Sequence, residues 1–294
     1  MINDANRKWQ ASTAAHGEKV TETRKALGRW PNAPLALVVA QVKFEPAAET
    51  TPSALAERIK AVTGEQFPRS NQIQPISFVL GQGNTSPPVP LPAHVGLDLR
   101  NGVNDEALRL LPDALTFATS AYESSDHFAE LWGRFMAALC EDRTIRVIRI
   151  GLRYVDFIIP TSGHTPEDYL RDGLGRSPAA LGAQSPVVFS IYGFERPDGG
   201  QLRVGYSRGF GPPALPPDIQ DLVKPPPKLT TKSNGEVSAV LDMDRWRMVN
   251  LAMNASDVTN AVKDLRTDLA STFRSIMTEL AEIEWKREQN AEHQ

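Results

Sequence analysis

Strand-like segments in this chain follow one another with few helices between them, and that succession limits the folds open to it. The order reads strand, helix, strand, strand, strand, helix, strand, short helix, hairpin, strand, long helix. A parallel sheet needs a crossover helix for nearly every strand. About eight strands with only three substantial helices cannot meet that demand. The sequence therefore predicts an α+β fold: one large, mostly antiparallel sheet, two or three helices on one face, and a long C-terminal helix. The other face of the sheet is expected to be partly open.

The individual segments carry recognisable signals. In "LALVVAQVKFEP", Ala40, Val42 and Phe44 point one way and Gln41 and Lys43 the other, which is the period of a strand. In "TTPSALAERIKAVTG", Thr51 caps a helix, Pro52 takes its first position and Gly64 stops it. "NQIQPISFVLG", "HVGLDLRN" and "ALTFATSAY" read as strands, the first marked by Pro75 as an edge or a bulge. "SSDHFAELWGRFMAALCED" is an amphipathic helix with Phe128, Leu131, Trp132, Phe135 and Leu139 on one face. "SPVVFSIYGFERPDGGQLRVGYSRGF" is a hairpin, because "PDGG" supplies residues that tolerate positive φ. A last helix is predicted from Ser256 to about Lys286, with apolar residues from Val258 to Ile283 stepping by three and four.

Residues 1–31 read as a polar N-terminal extension and residues 32–290 as a single α+β domain. Two proline-rich stretches, near 84–92 and 211–228, favour extended polyproline geometry and are expected to be stiff surface connectors. The N-terminus has no apolar core of the kind a signal peptide requires, and no run of 18 apolar residues occurs. A cytoplasmic protein with no membrane partner is expected. Lys and Arg number 32 against 35 Asp and Glu, a balance that argues against a broad nucleic-acid-binding surface. The single cysteine, Cys140, is expected to be a small apolar side chain of its helix.

Familiar catalytic patterns are missing from the sequence. There is no P-loop, no dinucleotide-binding glycine motif following a strand, and no nucleophile elbow. His16, His94, His127, His164 and His293 are scattered without metal-ligand spacing, and no cofactor is expected. Two constellations remain. In "VIRIGLRYVDFIIP", Arg149, Gly151, Arg153 and Val155 share one strand face, and Ile148, Ile150, Leu152, Tyr154 and Asp156 share the other. Two guanidinium forks flanking a glycine suit an anion, phosphate above all, and each must be exposed, paired or facing a ligand. In "AVLDMDRW", Asp242 and Asp244 share a face; they suit either a divalent cation or the two arginines across the sheet.

"NAPLALVVAQVKFEP", "IRIGLRYVDFI" and "VLDMDRW" before a long terminal helix resemble a sporadically distributed bacterial family defined by a sequence model of about this length. Its members carry an "RxGLRYxN"-like strand; this chain has Asp156 where that pattern has asparagine. The resemblance spans about residues 32–285, implies one folded unit and brings no activity with it.

The expected function is that of a non-enzymatic binding or assembly protein, acting through contacts with another protein or with itself. The open sheet face, the proline-rich loops, the N-terminal extension and the terminal helix are the surfaces for it. The alternative is an enzyme or sensor for a phosphorylated small molecule or nucleotide, with Arg149 and Arg153 clamping the anion and Asp242 and Asp244 holding Mg²⁺.

Overall fold

The computed structural model describes residues 32–47, 50–74, 95–161, 163–171, 173–175, 185, 187–230 and 236–285. The N-terminal extension and the proline-rich stretch near 84–92 lie outside these residues, as does the "ISFVLG" half of one predicted strand.

Among the described residues, nine strands form one sheet: β1 (Leu35–Phe44), β2 (Arg69–Ile73), β3 (Gly96–Arg100), β4 (Glu106–Leu111), β5 (Ala114–Thr119), β6 (Ile145–Ile158), β7 (Val188–Glu195), β8 (Gln201–Phe210) and β9 (Val237–Met253). They lie in the order β2-β3-β4-β5-β1-β6-β9-β8-β7. Every neighbouring pair is antiparallel. The most apolar strand, β1, takes the middle, where both of its faces are covered. The sequence reading passed over β4. Its "EALRLL" has no clean alternation, and what makes it a strand is its pairing with β5 across the tight Pro112–Asp113 turn.

Helices α1 (Pro52–Thr63), α2 (Ser125–Cys140), α3 (Ala255–Ile276) and α4 (Glu279–Glu284) share one face of the sheet. Val38, Ala40, Val42 and Phe44 of β1 meet Leu55 and Ile59 of α1, Trp132 and Phe135 of α2, and Val258 and Leu265 of α3 in one core. The predicted terminal helix is two helices. Met277 leaves helical geometry and bridges to Leu170, and Thr278 starts α4 by accepting the Ala281 N–H. The stepping of apolar residues runs through the break, so periodicity alone conceals it.

The second face differs most from expectation. The proline-rich segment 211–229 is not a peripheral connector. It crosses this face as a strap, burying Leu215, Ile219, Leu222 and Val223 against Leu37, Val39, Ala107, Ala118, Val155, Phe157 and Val240. Short turns close within the strap, Ile219 N–H donating to Pro216 O at 3.0 Å and Leu222 N–H to Ile219 O at 3.1 Å, and partners on the sheet secure its path. Lys224 N–H donates to Asn104 O at 2.8 Å, and Ser120 Oγ donates to Lys224 O at 2.6 Å. The face is open only beyond the strap. Among the described residues, no helix is long and apolar enough to cross a membrane.

Candidate functional site

Period two places Arg149, Gly151 and Arg153 of β6 on the strap face, and antiparallel register brings Asp242 and Asp244 of β9 to the same face. Arg153 stands directly opposite Asp244 yet does not bind it. It reaches diagonally to Asp242, with Nε to Oδ1 at 2.6 Å and Nη2 to Oδ2 at 2.7 Å. The rest of the fork is taken by Asp218 of the strap, Nη1 donating at 2.5 Å and Nη2 at 3.2 Å. Arg153 is 8% exposed. Burial alone would favour losing its charge; the two carboxylates outweigh that and hold the guanidinium protonated. The same ion pair pulls the Asp218 carboxyl below its usual range.

The other predicted site residues do not join this cluster. Arg149 stacks its guanidinium over the Trp246 ring, 5.1 Å from the centroid, and takes no carboxylate. Asp244 stays 3.8 Å from Arg203, and burial pushes its carboxyl up. Asp242 takes both Arg153 and, at 3.4 Å, Arg203, so Arg203 reaches both aspartates while Arg153 binds, of the two, Asp242 alone. Among the described residues, no group of three or more His, Cys, Asp or Glu side chains converges on a common point. A second strap contact repeats the design, with Arg109 binding Asp98 at 2.9 and 3.0 Å and Asp221 of the strap at 2.8 Å. The strap thus brings its own two carboxylates to two arginines of the sheet.

Sequence reasoning missed three buried polar groups on the helix face. Arg245, 3% exposed, donates to Asp268 of α3 at 2.7 Å and to Asp198 of the β7–β8 turn at 2.6 Å. Gly200 makes that approach feasible, since a Cβ there would collide with the Arg245 guanidinium and sit 2.6 Å from Trp246 O. Glu167 is buried and accepts from Tyr206 at 2.5 Å. Tyr169 donates to Glu284 of α4 at 2.5 Å. The sequence signal for each was only a polar residue inside an apolar pattern; the partners lie 23 to 115 residues away. These groups are closed on themselves and tie elements together.

Among the described residues, exposed apolar side chains gather at the β7 end of the sheet. β7 forms the last strand, and Phe189 (73% exposed), Ile191 (54%), Phe194 (48%) and Tyr192 (38%) project from both of its faces. On the helix face, a cleft of about 540 Å³ separates β7 and β8 from the C-terminal half of α3. Tyr192, Phe194 and Leu202 face the hydroxyls of Ser271, Thr272 and Ser275 across it. Arg196, at its edge, is already engaged by Asp268 at 3.0 Å.

Comparison with family models, with curated proteins and with solved structures finds no match.

Proposed function

We propose that this protein is a non-enzymatic binding or assembly protein that works through protein–protein contacts, and that its docking element is the β7 edge. The observation carrying this is that β7 has the composition of an interior strand in an edge position. Apolar residues on both faces of a strand belong where both faces are covered and both neighbours are present. Edge strands are normally blunted by lysine, proline, bulges or brevity. β7 runs eight residues from Val188 to Glu195 with Glu195 its only charge. The opposite edge, β2, reads "RSNQI", four polar residues and a single apolar one, Ile73. The contrast between the two edges supports strand addition at β7, where backbone hydrogen bonds supply affinity and side-chain contacts supply specificity.

The anion-site alternative would need Arg153 to give up all four of its contacts to Asp242 and Asp218, leaving the buried Asp242 with Arg203 alone at 3.4 Å. The test places a photo-crosslinking amino acid at Ile191 in one variant and at Asn71 of β2 in another. Irradiated cells should give a defined protein adduct at 191 that an added Phe189→Lys change removes, and none at 71. Equal yields at both positions, or none at 191, would overturn the reading.

A further inference from the structure

The β7 edge is complementary to itself, and we infer that its occupant is a second copy of this chain, paired antiparallel about a two-fold axis through Ile191. The inference rests on the docking role assigned to β7 and names its partner.

Backbone geometry sets which residues can pair. Arg196 N–H donates to Gly200 O at 2.8 Å and Gly199 N–H to Arg196 O at 2.9 Å, closing a three-residue turn with Gly199 at φ 75°. Antiparallel alternation from that closing pair turns the backbone of Phe194, Tyr192 and Ser190 inward, towards Leu202, Val204 and Tyr206 of β8. The N–H and C=O groups of Phe189, Ile191, Gly193 and Glu195 then point out of the sheet. An axis perpendicular to the sheet at Ile191 joins these outward groups in register: Ile191 to Ile191, and Phe189 to Gly193 in each direction.

Side chains fit the same register. Directly opposed residues in an antiparallel pair share a face, so each Phe189 ring lies over the partner copy's Gly193. A Cβ at Gly193 would have no heavy atom within 4 Å, so that position offers open room for a ring. On the helix face the register sets Tyr192 against Ser190 and Phe194 against Val188, both pairings of large with small. The one charge of the strand, Glu195, falls opposite Val187, and the two Glu195 carboxylates stand roughly 26 Å apart at 3.3 Å per residue. No like charges meet, and β7 carries no charge pattern that would select a different partner.

The exposed parts of Val187, Phe189, Ile191, Tyr192 and Phe194 amount to roughly 500 Å² per copy, taking ~150–200 Å² for each full side chain. A pair would bury about 1,000 Å², the lower end for specific association. The contact is therefore a reversible dimer with a dissociation constant on the order of 10–100 μM.

Sedimentation velocity over a concentration series spanning that value should show the wild-type protein passing from monomer to dimer. Ile191→Lys should remain monomeric with an unchanged far-UV spectrum, because the axis would set two ammonium groups side by side. Register is read separately. An on-axis hydrogen-bonded pair has Cα atoms about 5.5 Å apart, within disulfide reach, so Ile191→Cys should cross-link between copies on oxidation while Glu195→Cys should not. A wild type that stays monomeric throughout, a dimeric Ile191→Lys, or a cross-link at 195 but not at 191 would each overturn the pairing. A monomeric wild type whose position 191 still gives a defined adduct with another protein defeats self-pairing alone; loss of that adduct as well defeats the docking role of β7.

Discussion

Asp156 sits on the helix face of β6, 2% exposed, its Oδ2 without a hydrogen-bond partner. Burial pushes its carboxyl up to about 8, and the Asp242 carboxylate adds to the effect. The folded protein thus keeps this proton up to about pH 8, whereas the unfolded chain releases it near the ordinary aspartate value of about 3.9. Between those values the unfolded state binds fewer protons, so this residue's contribution to stability is full in acid and declines as pH rises towards 8. Asp156→Asn should remove that slope and raise the melting temperature at pH 8 by several degrees, measured by thermal unfolding from pH 5 to 9; an unaltered slope would contradict the assignment. The two arginines on the opposite face of the strand should separate in the same way. Arg153→Ala strips the buried Asp242 of its bidentate partner and leaves it Arg203 alone at 3.4 Å, and should cost about 2–3 kcal/mol in urea unfolding. Arg149→Ala loses only a stack on Trp246 and should cost less than about 1 kcal/mol. Cys140 is buried in α2 with its thiol pushed up to about 11, the small apolar residue its helix pattern implied.

At the scale of elements, the strap and the divided terminal helix show where local pattern stops deciding structure. Leu215, Ile219, Leu222 and Val223 step at helical spacing, but the prolines at 212, 213, 216, 217 and 225–227 bar a regular helix, so the local pattern marks apolar residues without showing that 211–229 is a packed layer. The apolar row of Leu37, Val39, Val155 and Phe157 on the sheet beneath it explains why those residues are buried. Leu222→Ala, at 4% exposure, should cost about 2–3 kcal/mol and make the strap the first site of limited proteolysis. An exposed connector would show neither effect. The break at Met277 has a tertiary cause as well. Thr278 Oγ1 donates to Asp168 O at 2.7 Å and its N–H to Tyr169 O at 3.1 Å, so the turn around Glu167 draws the chain out of helical geometry. The capping box at Asn254 and Asp257 fixes the start of α3 locally, and that start was readable to within a residue or two.

At the largest scale, the described residues form a nine-stranded sheet with helices on one face, a strap across part of the other, and two edges of different character. An association built on the apolar edge should weaken little when ionic strength rises to about 1 M, because screening acts on charges and β7 brings only one per copy. A steep loss of dimer with salt in the same sedimentation assay would place the contact elsewhere. The sequence by itself determined the fold class, most of the strands, the helix starts and the hairpin, because periodicity, caps and turn residues act within a few positions of one another. It also put Arg149 and Arg153 on one face of their strand and Asp242 and Asp244 on one face of theirs, since two-residue alternation needs no knowledge of neighbours. That the two faces coincide was decided by the pairing of β6 with β9. Tertiary structure alone decided that Arg153 takes Asp242 and Asp218 while Arg149 takes neither, and that β7 stands at an edge. Strand order and diagonal side-chain reach depend on contacts between residues dozens of positions apart, and no local pattern encodes which of several suitable partners will be adjacent.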